Sequence, residues 1–160
     1  HCNSTGVYSG VVANGNGNFA DKTNSIKTFN RGLAPTDANG LVTFTTTFPG
    51  HYTGRATHIH VMGSQSGTVL ANKTYVGGKS VSVGQVFFDQ DLITKVEATA
   101  AYAVNKQQLT KNSEDNIFAD ASATSFDPVV NYMLLGQTVE DGIFAWISIG
   151  IDKKVTKARD

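Results

Sequence analysis

The sequence predicts an all-β fold, a β-sandwich with one or two short helices in its loops. Short segments rich in Val, Ile, Thr, Tyr and Phe, the residues that favour strands, recur along the 160-residue chain. Clusters of Gly, Asn, Asp and Pro, the residues that favour turns, separate these segments. Apolar residues alternate with others over residues 143–151, at the period of a strand with one buried face. Many short strands divided by turns are typical of a sandwich.

The first half of the chain contains three predicted strands, over residues 6–13, 25–29 and 41–48, because β-forming side chains are concentrated there. The alternating Asn and Gly residues at 14–18 predict a turn, and the Asp-Ala-Asn-Gly sequence within residues 36–40 predicts another.

In the second half, strands are predicted over residues 57–62, 82–88, 126–135 and 143–151. The polar stretch 63–78 predicts a loop or a hairpin, and residues 140–142 predict a turn. Apolar positions between residues 91 and 102 recur near the helical period, with Asp91 as the expected N-cap. Residues 112–121 predict a second short helix.

The length of the chain indicates one domain over residues 1–160. The 13 basic and 13 acidic residues give no net charge, so nothing in the charge favours a nucleic acid or an anionic membrane as partner. No apolar run approaches the ~18 residues that span a bilayer, and the pattern does not determine an oligomeric state.

Several features favour an extracellular location. Only 16% of the residues are charged, and Asn3 and Asn72 stand in N-glycosylation sequons. Cys2 is the only cysteine, and in a secreted protein its simplest partner is a cysteine upstream of His1. We therefore expect that the chain lacks its N-terminal segment.

The segment 52–60 contains the residues most suited to chemistry, namely Tyr52, Arg55, His58 and His60. Side chains alternate between the two faces of a strand, so both histidines face one side, roughly 7 Å apart along the strand. Residues 59 and 61 face the opposite side, towards a core. The pattern predicts a metal site on a rigid strand.

Other interpretations of these residues stay open at this point. Histidines in proteins are more often structural than metal-binding, and the alternatives for Arg55 are an ordinary surface cation or a structural ion pair with Asp37 or Glu140. A His-Glu-x-x-His zinc-protease motif is absent. A non-catalytic β-sandwich binding module with a structural metal site is the alternative function.

The Tyr-x-x-Arg-x-x-His-x-His spacing within residues 52–60 resembles that of intradiol ring-cleavage dioxygenases, most closely their fungal extracellular branch. The likeness extends over nearly the whole chain, through residues 1–10, 31–32, 36–40, 84–88, 140–142 and 146–150. The resemblance implies a Greek-key β-sandwich that is a single catalytic domain.

The resemblance also implies a non-haem Fe(III) held by Tyr8, Tyr52, His58 and His60. The implied reaction cleaves a catechol-type aromatic ring with O₂ and gives a muconate-type dicarboxylic acid. In it, Tyr52 accepts a proton from the substrate. The resemblance gives Arg55 the role of favouring negative charge on the substrate, and Gln85 the role of orienting it.

Overall fold

The computed structural model describes residues 1–12, 20–123, 125–152 and 154, with residue 81 described by its backbone alone. Within these ranges the chain forms six strands and two short α-helices. The strands are β1 (His58–Gln65), β2 (Thr68–Val69), β3 (Tyr75–Val76), β4 (Lys79–Phe87), β5 (Asn131–Leu134) and β6 (Ile143–Trp146). They pair as β1–β4, β2–β3 and β5–β6, always antiparallel. The predicted all-β class is thus confirmed.

The β1–β4 pair is the longest sheet, and it contains both histidines of the predicted site. His58 lies opposite Phe87 and His60 lies opposite Gln85 in the ladder. Ile59 points to the other face, where it packs against the core, as the alternation of side chains in a strand requires. The short β2–β3 hairpin lies within residues 63–78, where a loop or hairpin was predicted.

The core lies between the β1–β4 sheet, the β5–β6 pair and helix α1 (Gln90–Glu97). Its buried residues are Val86, Phe88, Leu92, Ile93, Val96 and Val130. The end of β4 is joined to the chain before β5, because the Phe87 amide donates to the Pro128 carbonyl and the Val130 amide donates to the Phe87 carbonyl, both at 2.9 Å.

Helix α1 begins two residues earlier than expected. Asp89 is its N-cap, and Asp89 Oδ1 accepts hydrogen bonds from the amides of Asp91 and Leu92 at 2.9 and 3.1 Å. The predicted cap Asp91 is therefore wrong: it lies in the first turn, where a negative charge also suits the helix dipole. The helix ends at Glu97 rather than at residue 102.

Helix α2 (Asn116–Ser122) lies in the predicted second helical region, after a 3-10 turn over Asn112–Glu114. Its N-cap is Asp115, whose Oδ1 accepts from the amides of Ile117 and Phe118 at 2.8 and 3.1 Å. Both helices thus begin at a capping aspartate, which satisfies amide groups that have no partner within the helix.

Three strand predictions in the first half are wrong for the described residues. Residues 6–12 form loops and turns, and a 3-10 helix over Lys22–Ile26 replaces the strand expected from residue 25. Residues 41–48 form no strand, although their composition favours one, because strand propensity does not supply a partner. The turn over residues 36–40 is confirmed, and Gly40 there has a φ of 81°. The turn predicted over residues 14–18 lies outside the described residues.

The strands near the C-terminus are shorter than predicted. β5 covers only Asn131–Leu134, and β6 ends at Trp146 rather than at residue 151. The intervening turn is confirmed: a 3-10 turn over Val139–Asp141 is followed by Gly142, with a φ of 111°. No helix in the described part of the chain is long and apolar enough to span a bilayer.

Leu92→Ala tests the importance of the core behind the site. Leu92 is completely buried in the core cluster, so the substitution removes apolar contacts and leaves a cavity. We expect the free energy of unfolding to fall by about 2–5 kcal/mol. Urea denaturation of the two proteins measures it, and a loss below ~1 kcal/mol would contradict this description of the core.

Candidate metal centre

The turn before β1 places Tyr52 beside the histidine strand. The Arg55 amide donates to the Tyr52 carbonyl at 3.4 Å, and Gly54 between them has a φ of 89°, in the left-handed region that glycine adopts without strain. The chain thus reverses within four residues. Tyr52 Oη consequently lies 3.4 Å from His58 Nε2.

His58 and His60 converge as the strand pattern predicted. Their Nε2 atoms are 3.2 Å apart, and their rings meet edge to face with centroids 4.8 Å apart. His58 Nδ1 lies 2.6 Å from the Ala56 carbonyl oxygen. That contact requires a proton on Nδ1, which leaves the Nε2 lone pair directed at Tyr52 and His60.

The environment keeps the imidazoles uncharged and the phenol protonated at neutral pH. Burial lowers the pKa of His58 to about 4, and the nearby Arg55 adds to the effect. Partial burial also lowers the pKa of His60. Burial raises the pKa of Tyr52 to about 12 against the opposing charge of Arg55. A metal ion would thus meet neutral imidazoles, and only a cation would make Tyr52 ionise near neutral pH.

Tyr8 approaches the cluster from the N-terminal loop. Its ring meets that of His60 edge to face, with centroids 5.9 Å apart. The guanidinium carbon of Arg31 lies 4.9 Å from the centre of the Tyr8 ring. Burial raises the pKa of Tyr8, while the charge of Arg31 opposes that shift.

Two glycines bring the Tyr8 loop against the Tyr52 segment. A side chain at Gly50 would collide with the Asn3 and Ser4 backbone, and one at Gly6 would collide with the His51 carbonyl. Gly6 also has a φ of 76°, a backbone conformation that residues other than glycine adopt poorly. The two tyrosine segments therefore pack backbone to backbone.

His51 ties the Tyr52 segment to the rest of the fold. It is buried, its Nδ1 lies 2.8 Å from Glu97 Oε1 at the end of α1, and its Nε2 lies 2.9 Å from the Gln107 carbonyl. The hydrogen bond to Glu97 raises the pKa of His51. These contacts give His51 a structural role beside the cluster.

Arg55 joins the cluster to a carboxylate that the sequence reasoning missed. One guanidinium nitrogen donates to Gln85 Oε1 at 2.5 Å, and Nε donates to Asp115 Oδ2 at 3.0 Å. The expected alternatives, Asp37 and Glu140, are therefore wrong as the partner of Arg55. The only signal for Asp115 in the sequence was its place in the first turn of the helix predicted over residues 112–121, which does not indicate an ion pair with Arg55.

The structure thus brings together Tyr52, His58 and His60, sets the Tyr8 ring against His60, and places Arg55 and Gln85 beside them. No group of three or more His, Cys, Asp or Glu side chains suited to a metal occurs in the described ranges. A metal site here would need tyrosine oxygens as well as the two histidines.

The lowered pKa of His58 predicts a pH dependence of stability. The unfolded chain binds a proton at this residue below its ordinary pKa of 6.5, whereas the folded protein resists protonation down to about pH 4. Stability from this source is present above pH 6.5 and is lost as the pH falls towards 4. In metal-free protein, His58→Gln should lose less unfolding free energy than the parent between pH 7 and 4.5. Equal losses, measured with urea, would contradict the shift.

This chain is similar to known proteins in structure. No family model matches the sequence, and no curated protein matches it. The solved structure of an intradiol ring-cleavage dioxygenase from Tetranychus urticae is 28% identical, with a TM-score of 0.54 over 73% of this chain and 50% of that one. A second structure, described as a dioxygenase, is 23% identical with a TM-score of 0.63 and covers 95% of this chain and 68% of that one.

The chain spans half the length of the first of these proteins. The likeness to the second shows a shared fold. Together they support the general dioxygenase fold for this chain. The finer resemblance to the fungal extracellular branch stays a prediction, as do the location outside the cell, glycosylation of Asn3 and Asn72, and the partner of Cys2.

Proposed function

We propose that the protein is an Fe(III)-dependent intradiol dioxygenase, which cleaves catechol-type aromatic rings with O₂ to give muconate-type dicarboxylic acids. The observation that carries the proposal is the convergence of three donor atoms. Tyr52 Oη, His58 Nε2 and His60 Nε2 follow one another at 3.4 and 3.2 Å, and the Tyr8 ring lies against His60.

These spacings fit a bound metal ion. Two donors each about 2.1 Å from an ion, at angles between 90° and 120°, are separated by roughly 3.0–3.6 Å. Both measured separations fall in that interval. Phenolate oxygens suit a small, highly charged cation such as Fe(III), and imidazole nitrogens suit iron as well. The residues that would hold the ion are Tyr8, Tyr52, His58 and His60.

Bound Fe(III) would supply the withdrawal of electron density that makes a chelated catechol reactive towards O₂. Tyr52 would take up a proton from a hydroxyl group of the catechol. The pKa of its phenol is about 12, above the value of about 10 for a phenol in water. Without a metal the Tyr52 phenol therefore favours its protonated form, so Tyr52 Oη can hold a proton removed from a substrate hydroxyl.

Arg55 and Gln85 would act on the substrate as a connected pair. Gln85 Oε1 accepts from Arg55, which orients the Gln85 amide so that its N–H groups are left to donate to a substrate oxygen. The Arg55 side chain is largely buried, with 20% of its surface exposed. A fixed positive charge in a partly desolvated site favours negative charge on the bound ring.

The test combines colour with oxygen uptake. Protein loaded with Fe(III) should absorb visible light through tyrosinate-to-iron charge transfer, and it should consume O₂ when catechol is added. Metal-free and zinc-loaded protein serve as controls, because Zn²⁺ is redox-inert. Iron-loaded protein that is colourless and consumes no O₂ with any of a set of substituted catechols would contradict the proposal and favour a non-catalytic metal-binding module.

A further inference from the structure

The carboxylate of Asp115 is bound on both oxygens, each to a different part of the fold. Its side chain is 1% exposed. Oδ1 accepts from the first amides of helix α2. Oδ2 accepts from Arg55 Nε at 3.0 Å and from the Ala56 amide at 2.7 Å. One oxygen thus caps helix α2, and the other accepts hydrogen bonds from the segment before β1.

Both bonds of Oδ2 connect Asp115 to the candidate metal centre, through Ala56 by one further contact and through Arg55 by two. The Arg55 guanidinium goes on to Gln85 Oε1, and Gln85 faces His60 across the β1–β4 ladder. The Ala56 carbonyl receives His58 Nδ1. Asp115 therefore holds Ala56, the residue whose carbonyl orients His58, and Arg55, the cation that orients Gln85.

The surroundings of Asp115 favour the ionised carboxylate, which forms the stronger bond to Arg55. Burial opposes ionisation of Asp115, but the amides of Ala56 and Phe118 and the Arg55 cation outweigh that cost, and its pKa is lowered. The carboxylate is ionised at neutral pH. A charge-assisted bond between a carboxylate and Arg Nε is directional and stronger than a neutral one, so it limits the rotamers open to Arg55.

We propose that Asp115 is a positioning residue for the dioxygenase reaction, acting through Arg55. The inference rests on the proposed function for its kinetic consequence, but the link between the two side chains is testable without metal or substrate. In the proposed reaction, Arg55 meets the substrate only in the orientation that Asp115 holds. Loss of that bond should impair turnover while helix α2 remains capped.

Asp115→Asn replaces only Oδ2, the oxygen that accepts from Arg55 and Ala56. The amide oxygen of asparagine can still cap helix α2, but its NH₂ group would then face the Arg55 and Ala56 donors and accept neither. Asp115→Ser also keeps a capping oxygen and removes the second one, so it replaces the first variant if that one fails to fold. Asp89→Asn is the matched control, because Asp89 caps helix α1 with the same pair of bonds and is exposed.

The kinetic test is a double-mutant cycle on catechol turnover by iron-loaded protein. Loss of a residue that orients a site group commonly costs about ten- to a hundredfold, and we expect a fall of that size in kcat for Asp115→Asn. Asp89→Asn should change kcat less than about twofold. In an Arg55→Ala background, Asp115→Asn should lower kcat clearly less than it does in the parent, because the route through Arg55 is already gone and only the bond to the Ala56 amide is lost. Equal kcat for Asp115→Asn and its parent, or independent multiplicative effects, would overturn the proposal.

A second measurement tests the Arg55–Asp115 hydrogen bond if the parent protein does not turn over catechols. In that case the proposed function fails, and hydrogen exchange at Arg55 Nε in metal-free, ¹⁵N-labelled protein still reports on the bond. Exchange should be slow in the parent and in Asp89→Asn, and at least about tenfold faster in Asp115→Asn. Unchanged exchange in Asp115→Asn would overturn the inference whatever the reaction is.

Discussion

Tyr52→Phe is expected to lower oxygen consumption with catechol by at least about a hundredfold, since general acid–base groups contribute about 10²–10⁴-fold. The substitution removes only the hydroxyl oxygen, which lies 3.4 Å from His58 Nε2, and the ring can keep its edge-to-face contact with His58. The site then lacks both one donor for the metal and the base that receives the substrate proton.

The matched control for this prediction is Tyr132→Phe. Tyr132 packs against the core from strand β5, so its variant removes a hydroxyl of the same kind from a place that the proposed chemistry does not use. Visible spectra should change for Tyr52→Phe and stay as in the parent for Tyr132→Phe. Parental turnover by Tyr52→Phe would refute the assignment of Tyr52.

His58→Ala should have the second large effect, the loss of stoichiometric iron. His58 is the most buried of the proposed donors, at 5% exposed, and its Nδ1 contact with Ala56 orients it rigidly. Removing groups that only support a metal ligand already weakens binding 10–100-fold, so removing the ligand itself should raise the Kd for Fe(III) more than about a hundredfold.

The alanine variant also leaves a cavity and an unpaired Ala56 carbonyl, which will lower stability. His58→Gln keeps most of the volume and separates that effect from the loss of the imidazole. Iron content per chain after loading, with the unfolding midpoint measured in parallel, distinguishes the two. One tightly bound iron per chain in a folded His58→Gln variant would show that this imidazole is no ligand.

Local patterns predicted the histidine strand and its neighbourhood well. The alternation of residues 58–61 fixes which side chains share a face, and the strand over residues 82–88 became the partner that sets Gln85 opposite His60. These features depend on residues close in sequence or on the period of a strand, and such information is present in one sequence.

Features that depend on distant partners were missed. Residues 41–48 have the composition of a strand but form none, because a strand needs a neighbour to bond with. The Arg55–Asp115 pair spans 60 positions. The sequence did not indicate which acidic residue pairs with Arg55. The pairing depends on the position of the N-terminus of helix α2, which places Asp115 beside Arg55.

The location of iron in crystals of the loaded protein tests the central claim most directly. Diffraction data collected on either side of the iron absorption edge should give one strong anomalous peak per chain, within bonding distance of Tyr8 Oη, Tyr52 Oη, His58 Nε2 and His60 Nε2. A peak elsewhere in the molecule, or one that touches the histidines while both tyrosine oxygens stay out of bonding range, would contradict the claim.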